Sequence, residues 1–294
     1  MISLAASYSA CRFVHIAAIM QGFGIALFCE CLAPARLRVA LRNSLGGATR
    51  IMAWLSLLTS AGILALQAGQ MGDGWPQTLS PAVWLAVLNT AFGSVWLWHL
   101  AVALLAVLAA GLHTLSAMRH RLLLAALSGL LISQALVGHS AMYDGMRGAL
   151  QRGNQILHLF SAAWWLGCLL PLLICLPRLR GVGRNDALHA LVRFSRSAHF
   201  AVALVIFSGL VNTWLVLGQW PLDWASAYQR LLLFKIAAVV LMVALAITNR
   251  YAVVPAMGRQ PEGAIRLLTL LTLGELVLGC AVMLLVSVFA TFEP

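Results

Sequence analysis

Histidine and methionine are the residues here whose types and placement point to chemistry. His15, His99, His139 and His158 each lie within or at the end of a long apolar run. His139 belongs to the stretch Gly138-His139-Ser140-Ala141-Met142-Tyr143-Asp144-Gly145-Met146, which sets two thioethers beside an imidazole. Imidazole with thioether suits copper, and methionine in particular favours Cu(I). The candidate metal set is therefore His15, His99, His139, Met142 and His158. Each histidine taken singly also fits a bland role, hydrogen-bonding a neighbouring helix or reaching toward the interface.

A second group of polar residues lies in apolar sequence. Cys29-Glu30-Cys31 flanks a carboxylate with two thiols, and Lys235 and Glu275 are isolated charges in later runs. Ionisable groups in hydrocarbon are costly, so each is a functional candidate by default. Together they outline a path for a metal ion or proton, with Lys235 and Glu275 either an ion pair or part of a coupling route. Neighbouring positions on a helix point in different directions, so Cys29 and Cys31 do not face each other. Small-residue packing and an interfacial Glu30 explain the same trio without any ligand.

The elements that position these residues follow from composition. Of 294 residues, 62% are hydrophobic and 9% charged, where a soluble domain carries about 25% charged residues. Mean hydropathy is +0.93. A span needs roughly 20 apolar residues, so the length accommodates about eight. Apolar runs bounded by Arg, Pro, Gly and Asp place spans at 10–33, 50–71, 93–115, 121–143, 154–176, 194–217, 229–250 and 264–290. Segment 80–92, opening Ser80-Pro81, is either a separate interfacial helix or an early start to the third span. The expected fold is all-α, a polytopic membrane protein. Its first run lacks a cleavable signal pattern and is expected to stay as span one.

The net charge of +11 does not indicate nucleic acid, because the arginines cluster in short loops between apolar runs. Arg36, Arg38, Arg42 and Arg50 follow span one, and Arg178, Arg180, Arg184, Arg193 and Arg196 follow span five. Arg119 and Arg121 follow span three, and Arg250, Arg259 and Arg266 follow span seven, making fourteen of the 19 basic residues on one side. The positive-inside rule assigns that side to the cytoplasm and both termini to the outside. The four candidate histidines then share the outer leaflet. Six cysteines show no disulfide framework.

An internal repeat links the two parts of the chain. His15, Gly24 and Pro34 match His158, Gly167 and Pro177 at the same two intervals, and Arg36-Leu37-Arg38 matches Arg178-Leu179-Arg180. Mid-helix Gly62 and Gly209, and the outer pairs Trp75-Pro76 and Trp220-Pro221, continue the likeness. The halves are about 1–146 and 147–294. Four spans is an even number, so they run parallel, related by an axis along the membrane normal. His15 and His158 then occupy equivalent places, which predicts a site between the halves reached by His139. His99 and His139 have no histidine counterparts.

No Gly-rich phosphate loop, GxSxG, HExxH or CxxCH occurs, which argues against an enzyme and against ATP-driven transport within this chain. A b-type haem between facing histidines remains as a rival to copper, since it needs no CxxCH.

Arg193-Phe194-Ser195-Arg196-Ser197-Ala198, then Gly209, Thr213, Tyr228, Leu231-Leu232, Lys235 and Asn249-Arg250, together with Gly138-His139 and Trp164-Trp165-Leu166-Gly167, resemble the bacterial copper resistance D (CopD/PcoD) family. That resemblance implies an eight-span inner-membrane protein of copper homeostasis, moving copper from periplasm to cytoplasm beside a periplasmic CopC-like copper-binding protein. Some relatives carry the CopC domain fused; this sequence contains none, so such a partner would be separate. A non-transporting copper-binding or assembly factor is the other role compatible with the same residues. Oligomeric state is not legible.

Overall fold

The computed structural model describes residues 3–112, 116–138 and 142–292, and these are all helix, turn or connection. The helices are α1 (Leu4–Leu27), α2 (Ala35–Met71), α3 (Pro81–Leu88), α4 (Ala91–Gly111) and α5 (Ser116–Gln134), then α6 (Gly145–Cys175), α7 (Arg184–Leu217), α8 (Ala227–Thr248), the single turn α9 (Val254–Ala256) and α10 (Pro261–Phe289). Among the described residues, seven helical stretches are long and apolar enough to cross a membrane. They contain α1, α2, α4, α6, α7, α8 and α10. The 19-residue α5 is about 28 Å long, close to the thickness of a hydrocarbon core. It opens on Arg119, His120 and Arg121, which lowers its average apolarity.

Packing follows one scheme twice. α1 lies along α2 as α6 lies along α7, and α4 pairs with α5 as α8 pairs with α10. α1 and α6 form the buried centre, where they cross at the two repeated glycines. A Cβ on Gly24 would stand 2.0 Å from the Gly167 carbonyl carbon, and one on Gly167 would stand 2.2 Å from the Met20 oxygen. Only backbone fits at this crossing, the small-residue device of membrane helices. The Cys168 thiol bonds the Gly24 oxygen across it, 3.4 Å away.

One sequence expectation changes, and one choice between two readings is decided. The arginine-rich segments after spans one and five are not loops: α2 begins at Ala35 and α7 at Arg184. Leu37, Leu41 and Leu45 are buried at four-residue intervals, so the Arg-rich segment has an apolar stripe that packs it as the first turns of α2. Within segment 80–92, α3 (Pro81–Leu88) is a short helix separate from α4, which begins at Ala91. The Thr90 hydroxyl caps α4 by accepting the Gly93 N–H at 3.1 Å, and Gly93 packs so close to α3 that a Cβ would lie 2.2 Å from the Val87 oxygen.

Candidate metal centre

His15 on α1 and His99 on α4 meet inside the first group of helices. Their Nε2 atoms are 3.0 Å apart, and both side chains are fully buried. Each ring is held from behind by a hydroxyl. His15 Nδ1 lies 2.8 Å from Thr59 Oγ1 on α2, and His99 Nδ1 lies 2.7 Å from Ser133 Oγ on α5. Thr59 donates to the Leu55 carbonyl at 2.5 Å, and Ser133 lies 3.0 Å from the carbonyls of Gly129 and Leu130. With both hydroxyls donating to their own helices, both Nδ1 atoms are donors and two Nε2 lone pairs converge. One cation, a proton or a metal ion, completes that arrangement. Hydroxyl-oriented imidazoles of this kind are how metal ligands are fixed in ring orientation and tautomer.

The distance also bears on what fits. Two imidazole nitrogens, each about 2.0–2.1 Å from a metal, stand roughly 3 Å apart as cis ligands and about 4 Å apart as trans ligands. The observed separation matches a cis pair. Haem iron needs its axial ligands trans with a macrocycle between them, and His15 and His99 leave no room for one.

Trp96 closes the pair on one side. Its ring stacks on His99 at 4.4 Å and 7° and on Phe92 at 4.9 Å and 19°, its Nε1 donates to the Ser60 carbonyl at 2.9 Å, and it borders a cavity of about 830 Å3 between the two groups of helices.

His158 is not part of this pair. Its Nδ1 lies 3.0 Å from Ser208 Oγ on α7, and Ser208 donates to the Leu204 carbonyl at 2.5 Å, the same support that His15 has. The ring packs against Gly209, where a Cβ would lie 3.4 Å from Cε1, and it faces the large cavity. Lys235 takes the place that His99 has in the first group. Thr90 caps α4 and Ser226 caps α8. His99 and Lys235 each come nine residues after their cap, and the Lys235 ammonium lies within electrostatic reach of His158.

His139 lies outside the described residues. Met142 is half exposed in the connection before α6, and Met146, in the first turn of α6, is more exposed still. Among the described residues no group of three or more His, Cys, Asp or Glu side chains is close enough to hold a metal.

The remaining candidates lie toward the arginine-rich end. Cys29, Glu30 and Cys31 occupy a π-helical turn, Phe28–Leu32, that ends the first span. Cys29 is buried and Cys31 exposed, and Glu30 pairs with Arg42 of α2. Glu275 on α10 is buried and accepts from Trp165 Nε1 at 3.2 Å and from Asn249 Nδ2 at 2.9 Å. Asn249 opens a second π-helical turn, Asn249–Val253. Lys235 and Glu275 are not paired: the ammonium lies 5.9 Å from the Phe289 ring centroid, facing the large cavity. Glu275 instead borders a cavity of about 380 Å3 between α7 and α8.

Sequence reading missed Thr59, Trp96, Ser133 and Ser208. The hydroxyls bond back to their own helices, so nothing in their local sequence distinguishes them from ordinary helix serines and threonines. The cap-to-residue interval shared by His99 and Lys235 was present in the sequence and would have exposed their equivalence.

The family model for the copper resistance protein D-like N-terminal domain matches residues 1–149, and that for copper resistance protein D matches residues 188–289. Inner membrane protein YebZ of Escherichia coli (strain K12) is 36% identical over 291 residues, 99% of each chain. Copper resistance protein D of Pseudomonas syringae pv. tomato is 32% identical over 265 residues, 85% of this chain and 83% of that one. Copper transport protein CutJ of Bacillus subtilis (strain 168) is 28% identical over 185 residues, 59% of this chain and 33% of that one. No solved structure matches. Two family models in tandem and a full-length relative, on a polytopic helical fold, make this chain a member of the copper resistance D family of inner-membrane proteins.

Proposed function

We propose that this protein carries copper across the inner membrane from periplasm to cytoplasm, capturing it as Cu(I) at His15 and His99. The observation that carries the reading is the convergence of two buried Nε2 atoms at 3.0 Å, each ring held by a hydroxyl behind it. The names of two relatives, a copper resistance protein and a copper transport protein, support copper as the cargo. Met142, in the connection before α6, supplies a further thioether ligand, and its sequence neighbour His139 a further imidazole.

The arginine-rich ends of the helices face the cytoplasm, so both termini and the large cavity face the periplasm. A separate CopC-like protein delivers copper there. Residues 1–146 and 147–294 are the two units that move against each other about the Gly24–Gly167 crossing. The ion leaves toward Cys29, Glu30 and Cys31, with Glu275 as a proton-handling group on the inner side.

The test is copper accumulation by protein in liposomes. The double variant His15→Ala, His99→Ala is expected to lower initial uptake by at least about a hundredfold, since loss of even an outer supporting group costs 10–100-fold at metal sites. Undiminished uptake by a variant that still elutes as folded protein overturns the assignment.

A further inference from the structure

The large cavity is cationic. Arg12 of α1 and Lys235 of α8 both line it, and none of its described lining residues is an aspartate or glutamate. Neither cation makes an ion pair among the described residues. Arg12 lies 5.9 Å from the Tyr8 ring centroid, and Lys235 lies 5.9 Å from the Phe289 ring centroid with His158 in electrostatic reach. Two charges set among apolar helices with no acidic partner among the described residues are costly, and such residues mark ligand pathways. They also repel a bare copper ion at the entrance of any route toward His15 and His99.

The rest of the wall narrows the ligand class. Gln67, Gln70, Gln155 and Asn212 bring amide groups, while Phe92, Trp96, Tyr228 and Phe289 bring aromatic surface. The volume of about 830 Å3 falls within the range of small-molecule sites. A guanidinium fork matches a carboxylate, and an ammonium supplies a second point of charge. Aromatic walls favour an organic ligand over a fully hydrated inorganic ion.

We propose that this cavity binds a small organic carboxylate, held between Arg12 and Lys235. Arg12 lies one turn before His15 on α1 and Trp96 borders both places, but the carboxylate site uses neither imidazole and does not depend on their binding metal.

Citrate is the probe, titrated by calorimetry into the purified protein, with inorganic phosphate in parallel. Citrate alone is expected to bind, and Arg12→Gln or Lys235→Gln to weaken it at least about tenfold. Lys235→Arg keeps the charge and retains binding, which separates loss of the ligand from loss of the fold. The His15→Ala, His99→Ala variant is expected to bind citrate as the parent does, so failure of the copper site leaves this result standing. No binding of citrate at millimolar concentration overturns the proposal, as does binding indifferent to both glutamine substitutions. Phosphate binding as tightly as citrate overturns the assignment to an organic ligand.

Discussion

Around His15 the helices are closed, and around His158 they are open. In the first group α4 packs along α2, and the imidazoles of His15 and His99 are sealed between them beneath Trp96. In the second group α8 scarcely touches α7, and His158 looks into the large cavity with Lys235 nearby. The supports of the two histidines are alike, a hydroxyl on the neighbouring helix that itself bonds a carbonyl four residues back. What differs is the opposite partner, an imidazole in one case and an ammonium in the other. One scaffold therefore carries two chemistries: convergent lone pairs that invite a cation, and a fixed charge that turns cations away.

The largest effect is expected where the two groups share a feature. Gly24→Leu forces a side chain into the backbone of Gly167, where even a Cβ is 2.0 Å from a carbonyl carbon. Overpacking a tight interior costs about 1–3 kcal/mol when neighbours can shift, and here the obstacle is backbone, so the cost is expected to exceed that range. The yield of monodisperse protein in detergent should collapse. A normal yield and thermal midpoint would mean that α1 and α6 do not cross at this point.

Next comes the pair of residues that distinguishes the groups. His99→Ala is expected to lower Cu(I) affinity by about a hundredfold or more in a competition titration, whereas Lys235→Ala at the equivalent position leaves it within about threefold. Equal losses in the two variants would break the comparison, because the groups would then serve one ligand set.

The difference between the groups was only partly legible in the sequence. Spans could be read because apolar runs of membrane length have no other use, and the repeat could be read because His15, Gly24 and Pro34 recur at fixed intervals. Contact was harder. Equivalence under a parallel repeat was read as proximity, placing His15 beside His158; in the structure the glycines nine residues on from each are what meet, while each histidine turns toward its own neighbours. His99 was legible as a candidate but not as the partner of His15, since 84 residues separate them and the pairing depends on how α4 packs. The arginine-rich segments were read as loops because charge was weighed above the leucines at positions 37, 41 and 45, whose spacing already described a buried helical stripe.

The smallest effects should come from the hydroxyls, and they test whether like supports serve unlike ends. Thr59→Val removes the oxygen behind His15, and Ser208→Ala removes its counterpart behind His158. Each removes a buried imidazole's hydroxyl partner and leaves it the backbone of Ser56 or of Val205, so each is expected to cost roughly 0.5–1.5 kcal/mol of stability. Only the first should reach the metal. Without Thr59 the His15 ring loses the bond that sets its tautomer, and Cu(I) affinity is expected to fall about tenfold, the lower end for an orienting partner. Ser208→Ala is expected to leave that affinity unchanged while altering citrate binding by no more than about threefold, because His158 borders the carboxylate site without supplying its charge. A copper defect in Ser208→Ala as large as that in Thr59→Val would place His158 in the same coordination sphere as His15, and the open and closed groups would then be two walls of one site.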